Sequence, residues 1–63
     1  MKYIIWNYQK GKYIEDENQV VIEYDKASHA DKIIHMLALM DVETGKEKNL
    51  IEAKENGYMI ETI

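Results

Sequence analysis

The chain predicts a small α+β domain in which an antiparallel sheet packs against one or two helices. Three observations predict it. Residues 2–8 are a run of β-branched and aromatic side chains, the composition of a strand. Residues 27–40 are mainly Ala, Lys, Leu and Met, good helix formers, with apolar positions at helical spacing. Residues 58–63 return to strand character behind a long charged stretch. At 63 residues a single domain, 1–63, is the only sensible count.

Alternation along the first strand, 2–8, places Ile4, Trp6 and Tyr8 on one face and Tyr3, Ile5 and Asn7 on the other. Both faces are partly apolar, which suits a central strand. Gln9-Lys10-Gly11-Lys12 then puts glycine at the second central position of a tight hairpin turn, so a strand at 12–15 returns with Tyr13 opposite Tyr8. Glu15-Asp16-Glu17-Asn18 interrupts it, because three adjacent carboxylates repel and prefer water. A strand at 19–24, with Val20, Ile22 and Tyr24 on one face, completes a meander.

Asp25 or Ser28 can cap the helix at 27–40, and Ser28 with Asp31 has the spacing of a capping box. At ~100° per residue, Ala30, Ile33, Ile34, Leu37 and Met40 share its core side. Residues 41–46 read as a connection. For 46–56 a second helix is favoured: Thr44 with Glu47 offers another capping box, and Gly57 is a natural helix-ending residue. The alternative makes this stretch a strand of a C-terminal hairpin turning at Asn56-Gly57. That hairpin would set Glu52 opposite Glu61 and ask Ala, Lys and Glu to be strand residues. Either way 58–63 is the final strand.

Composition narrows the function. A domain this short buries only ~60% of the surface its unfolded chain exposes, and small chains compensate with disulfides, metals or association. The chain has no cysteine, which closes the first route and points to a reducing compartment. His29 and His35 lie six apart and cannot share a metal as an i, i+4 pair would, so no metal and no cofactor are expected. The apolar stretch at the N-terminus is too short for a signal core, and no run approaches the ~18 apolar residues of a spanning helix. A cytoplasmic protein with no membrane contact is expected. A net charge of −4 with no arginine argues against direct nucleic-acid binding, where cationic side chains neutralise phosphates.

Little in the chain suggests catalysis. Asp41-Val42-Glu43-Thr44-Gly45 resembles the first carboxylate motif of proofreading-type exonucleases, but departs where that family doubles the threonine. That chemistry needs further carboxylates on distant strands to hold two metal ions. An ordinary polar connection accounts for the residues better. No serine or threonine has the surroundings of an activated nucleophile, and the glycines at 11, 45 and 57 are too scattered for a phosphate loop. An enzyme is not expected.

Two features point to binding instead. Met36 and Leu39 fall off the core side of the 27–40 helix, between Lys32 and His35, and exposed apolar pairs often belong to contact surfaces. Glu15, Asp16 and Glu17, with Glu23 and Asp25, gather carboxylates near one end of the sheet. Such a cluster either forms a solvated loop or imitates a phosphate backbone. The aromatic residues Tyr3, Trp6, Tyr8, Tyr13 and Tyr24 have acidic neighbours, unlike a base-stacking platform, and read as core and cross-strand packing.

The order Tyr3-Ile4-Ile5, Gly11-Lys12-Tyr13-Ile14 and then the helix Ala27-Ser28-His29-Ala30-Asp31-Lys32-Ile33 resembles small accessory proteins from phages of Gram-positive bacteria. The likeness covers the first half of the chain. It implies a protein acting on a host component in the bacterial cytoplasm. The expected function is therefore a non-enzymatic module that binds and inhibits a host protein through Lys32, His35, Met36 and Leu39, with Glu15, Asp16 and Glu17 as a second edge. The alternatives are an acidic nucleic-acid mimic and a homodimeric structural module.

Overall fold

A computed structural model describes all residues from Met1 to Ile63. The elements follow in the order β1 (Tyr3–Asn7), β2 (Lys12–Tyr13), α1 (Ala27–Glu43), α2 (Leu50–Gly57) and β3 (Tyr58–Thr62). The expected α+β class is what forms. The sheet has the order β2-β1-β3 with both pairings antiparallel, so β1 is the central strand. Its odd side turns to the helices: Ile5 is 0% exposed and joins Tyr24, Ala30 and Ile34 in the buried core. Its pairing with β3 sets Ile5 opposite Ile60 and Asn7 opposite Tyr58, carrying both partners onto the same side.

The first hairpin differs in register from the sequence expectation. Tyr13 pairs with Trp6 rather than Tyr8, and Asn7 pairs with Lys12, leaving residues 8–11 as the loop. Asn7 is the cause. Its buried side-chain Oδ1 accepts from the N–H groups of Gln9 (3.0 Å) and Lys10 (3.3 Å), and its carbonyl accepts from Gly11 (2.9 Å). Asparagine commonly starts a turn in this way. Gly11 closes it at φ 67°, a left-handed conformation open to glycine at no steric cost.

The expected strand at 19–24 does not form. Only two isolated bridges remain, Tyr3 with Tyr24 and Glu15 with Val21. The tight turn at 16–20, where Asp16 donates to the carbonyl of Val20 (2.9 Å) and Gln19 to that of Asp16 (3.0 Å), leaves only Val21 and Ile22 in reach of Ile14 and Glu15, too few for a ladder. Tyr24 alone re-enters the sheet edge, exchanging two 2.8 Å backbone bonds with Tyr3 and burying its ring.

α1 is longer than expected and faces a different way. Its N-cap is Lys26 with no side-chain bond, so neither Asp25 nor the Ser28–Asp31 box caps it. It runs on through Asp41, Val42 and Glu43, which the sequence reading gave to a connection. It ends in a Schellman arrangement: Gly45 at φ 80° donates to the carbonyl of Val42 (3.1 Å) and Lys46 to that of Asp41 (2.9 Å). The buried row is Ala30, Ile34 and Ala38, while Met40, expected in the core, is exposed. The reason is α2, which packs along this flank with Ala53 fully buried; on the same flank Asp31 reaches Lys54 at 3.9 Å.

The favoured helix in the 46–56 stretch forms, beginning later, at Leu50. Its cap is Asn49, whose side chain accepts from the N–H of Glu52 at 2.9 Å, and not the Thr44–Glu47 pair. The Thr44 hydroxyl instead turns back to the carbonyl of Met40 (2.9 Å). At the other end α2 passes into β3 with no residue between: Gly57 is the last of the helix and Tyr58 the first of the strand.

Candidate functional site

Lys32, His35, Met36 and Leu39 lie within an arc of about 100° opposite the buried row of α1, from ~100° per residue. All four are exposed. The structure thus brings together the helix residues that the sequence singled out. Met36 is 61% exposed and Leu39 41%, and Met40, at 58%, adds a third large apolar side chain that sequence reasoning had placed inside. Lys32 and Glu43 supply charges of both signs beside them.

The acidic loop is organised by its own carboxylates. Asp16 Oδ1 accepts from the N–H groups of Asn18 (2.8 Å) and Val20 (3.1 Å), and its carbonyl accepts from Gln19 (3.0 Å). Gln19 is held at φ 64° by this turn. Glu15 is ion-paired with Lys12 at 3.1 Å. Asp25 is ion-paired with Lys2, and this hydrogen-bonded contact holds the Asp25 carboxyl below its ordinary range and the Lys2 ammonium above its own. Glu17 and Glu23 are left without an ion pair. A groove of about 330 Å³ is lined by Glu15, Asp16 and Gln19 of this loop, by the first hairpin and by Leu37 of α1.

A second cleft, about 230 Å³, opens where the hairpin loop, the end of α1 and the end of α2 converge. Within it the Tyr58 hydroxyl donates to Asp41 Oδ2 at 2.8 Å. Burial, then the hydrogen bond and charge of Asp41, push the phenol up to about 12. A phenol held protonated to that degree is not a base at neutral pH, and the pair acts as a clamp between α1 and β3. No local pattern signals it, since the partners lie 17 residues apart and Asp41 reads as connection. The Asp41–Thr44 stretch that resembled a nuclease motif is the last turn of a helix and its cap, with Asp41 committed to Tyr58.

The side of the sheet away from the helices carries Trp6, Tyr13 and Met59 in cross-strand register. Trp6 and Tyr13 meet edge to face at 4.7 Å between ring centroids, and the Tyr8 hydroxyl lies 3.3 Å from the Met59 sulfur. The neighbouring Glu61 carboxylate raises the Tyr13 phenol above its ordinary value, with desolvation second. Cross-strand packing therefore accounts for these rings.

No three His, Cys, Asp or Glu side chains gather where they could hold a metal ion, and no helix is long and apolar enough to cross a membrane. No family model, curated protein or solved structure matches the chain.

Proposed function

We propose that this chain is a non-enzymatic binding module that docks on another protein through the outer face of α1. One observation carries the reading. α1 buries Ala30, Ile34 and Ala38 and half-buries Ile33 and Leu37, yet three further large apolar side chains, Met36, Leu39 and Met40, stay exposed. A helix serving only its own core has no use for three such side chains on its outer half. Each outward side chain contributes about 1.5–3 kcal/mol when a partner covers it fully. Methionine suits such a face because its unbranched thioether adapts to the surface it meets. Lys32, His35 and Glu43 form the polar margin expected around an apolar centre.

The resemblance of the first half to phage accessory proteins supports a host protein of the bacterial cytoplasm as the partner, with inhibition as the outcome. The nucleic-acid mimic draws less support. Glu15 and Asp25 are neutralised by lysines and Asp16 is engaged in its own turn, which leaves a thinner negative field than the sequence suggested.

The test is capture from bacterial lysate on the immobilised protein, beside a Met36→Asp/Leu39→Asp variant of unchanged circular dichroism and melting temperature. Stoichiometric capture by the parent and at least tenfold loss in the variant support the assignment. A folded variant that captures the same protein equally well places the docking surface elsewhere.

A further inference from the structure

We infer that β3 is the contact strand of a symmetric homodimer, pairing antiparallel with β3 of a second copy about Ile60. This surface is separate from the outer face of α1 and stands independently of the reading given for it.

The inference follows from which backbone groups β3 leaves open. Lys2 and Ile63 exchange both backbone bonds, at 3.4 and 2.9 Å, and Tyr8 donates to the carbonyl of Gly57 at 2.9 Å. Together with the register Tyr3–Thr62 through Asn7–Tyr58, these bonds fix the alternation along the ladder. Met59, Glu61 and Ile63 direct their N–H and C=O groups to β1. Tyr58, Ile60 and Thr62 direct theirs to the free edge. The Tyr58 N–H is already used, since it donates to the carbonyl of Lys54. Two N–H groups, of Ile60 and Thr62, and three carbonyls are left on that edge with no strand beside them.

Three symmetric registers pair more than one of these outward residues per chain, centred on Met59, Ile60 or Glu61. Centring on Met59 pairs Tyr58 with Ile60 of the second copy and wastes the Thr62 donors. Centring on Glu61 sets the two Glu61 carboxylates directly opposite, in the closer, non-hydrogen-bonded kind of pair, where like charges repel. Centring on Ile60 has neither defect. Ile60 exchanges both bonds with its counterpart, and each Thr62 N–H meets the carbonyl of Tyr58 on the other chain. All four free donors are satisfied. Met59 then faces Glu61 of the second copy, a pair with no repulsion, and the two Ile60 side chains meet on the helix side.

The strand also lacks the usual guards of an edge. It has no proline, no lysine and no bulge, and it carries a single charge, Glu61. The opposite edge, β2, is two residues long and carries Lys12. The product is a continuous six-stranded sheet with all four helices on one face, joined without an interruption in strand direction.

Sedimentation equilibrium of the intact chain, from micromolar to millimolar concentration, is the primary measurement, and a concentration-dependent dimer is expected. Thr62→Pro deletes only outward N–H groups and keeps the ladder to β1. It removes two of the four inter-chain bonds and weakens association roughly 30-fold, at about 1 kcal/mol per bond. Met59→Glu and Met59→Lys test the same register without altering the backbone. Glutamate opposite Glu61 weakens the dimer and lysine does not, a separation of about tenfold. In a mixed isotope-labelled sample, a cross-chain Hα–Hα contact between Met59 and Glu61 marks the centring on Ile60. A chain that stays monomeric at millimolar concentration overturns the inference. So does a dimer in which Met59→Glu and Met59→Lys associate equally, or one dissociated by Met36→Asp/Leu39→Asp and untouched by Thr62→Pro.

Discussion

Replacing Tyr58 with phenylalanine removes one oxygen and leaves the ring that packs against the core. The lost bond is the 2.8 Å contact to Asp41, which ties β3 to the last turn of α1. A hydrogen bond to a charged group contributes about 1.5–3 kcal/mol. Both partners are only part-buried, and water can replace the lost hydroxyl, which brings the expected cost to about 1 kcal/mol. For a domain of ~60–100 residues that lowers the melting temperature by roughly 4–8 °C. The effect carries a pH signature. The Tyr58 phenol is raised to about 12 in the folded chain, against an ordinary value of ~10. A group whose folded value is raised contributes stability that is complete below the unfolded value and lost as pH climbs through the folded one. The parent therefore loses this contribution between about pH 10 and pH 12, whereas the phenylalanine variant has none to lose. Tyr13 and Tyr24, also raised, titrate in both proteins and cancel in the difference. Paired thermal melts by circular dichroism at neutral and alkaline pH would show a gap that closes as pH rises. A gap absent at neutral pH, or one of the same size at both, refutes the clamp.

Two further outcomes can be checked by chemical denaturation. Ile5→Ala empties a fully buried position opposite Ile60 and costs about 2–5 kcal/mol, enough to unfold most of the population of so small a domain; a midpoint within error of the parent would show that the core lies elsewhere. Asn49→Ala removes the acceptor for the Glu52 N–H and costs about 1 kcal/mol, with a loss of helical ellipticity confined to α2, while Thr44→Ala, at the cap position the sequence favoured, should have the smaller effect on that helix.

Much of the fold was legible because local pattern and tertiary role agree. β1 reads as a central strand from its two apolar faces, and it is one. α1 reads as a helix from composition, and Gly57 correctly marks the end of α2. The failures have a common source. Residues 19–24 alternate like a strand, but a strand needs a partner of matching length, and β2 is only two residues long, so single bridges at Val21 and Tyr24 are all that form. Met40 outranks Ala38 in any count of hydrophobic bulk, yet alanine is what lies buried in the row beside α2, because two helices approach closely where a side chain is small. The hairpin register slipped because Asn7 was read only as a strand residue, when its side chain starts the turn. Within the candidate site, Lys32, His35, Met36 and Leu39 were visible from helical geometry alone. The Tyr58–Asp41 clamp and the open edge of β3 depend on contacts distant in sequence, which no local window contains.

The direct passage from Gly57 to Tyr58 leaves no slack between α2 and β3. The Tyr58 N–H closes on the carbonyl of Lys54, so the final turn of the helix and the start of the strand share a bond. Helix and strand thus behave as a rigid crank: a tilt of α2 must swing the strand, and anything that grips the strand must brake the helix. Amide protons in the two segments are accordingly expected to exchange with solvent in step, opening as one unit and not as two.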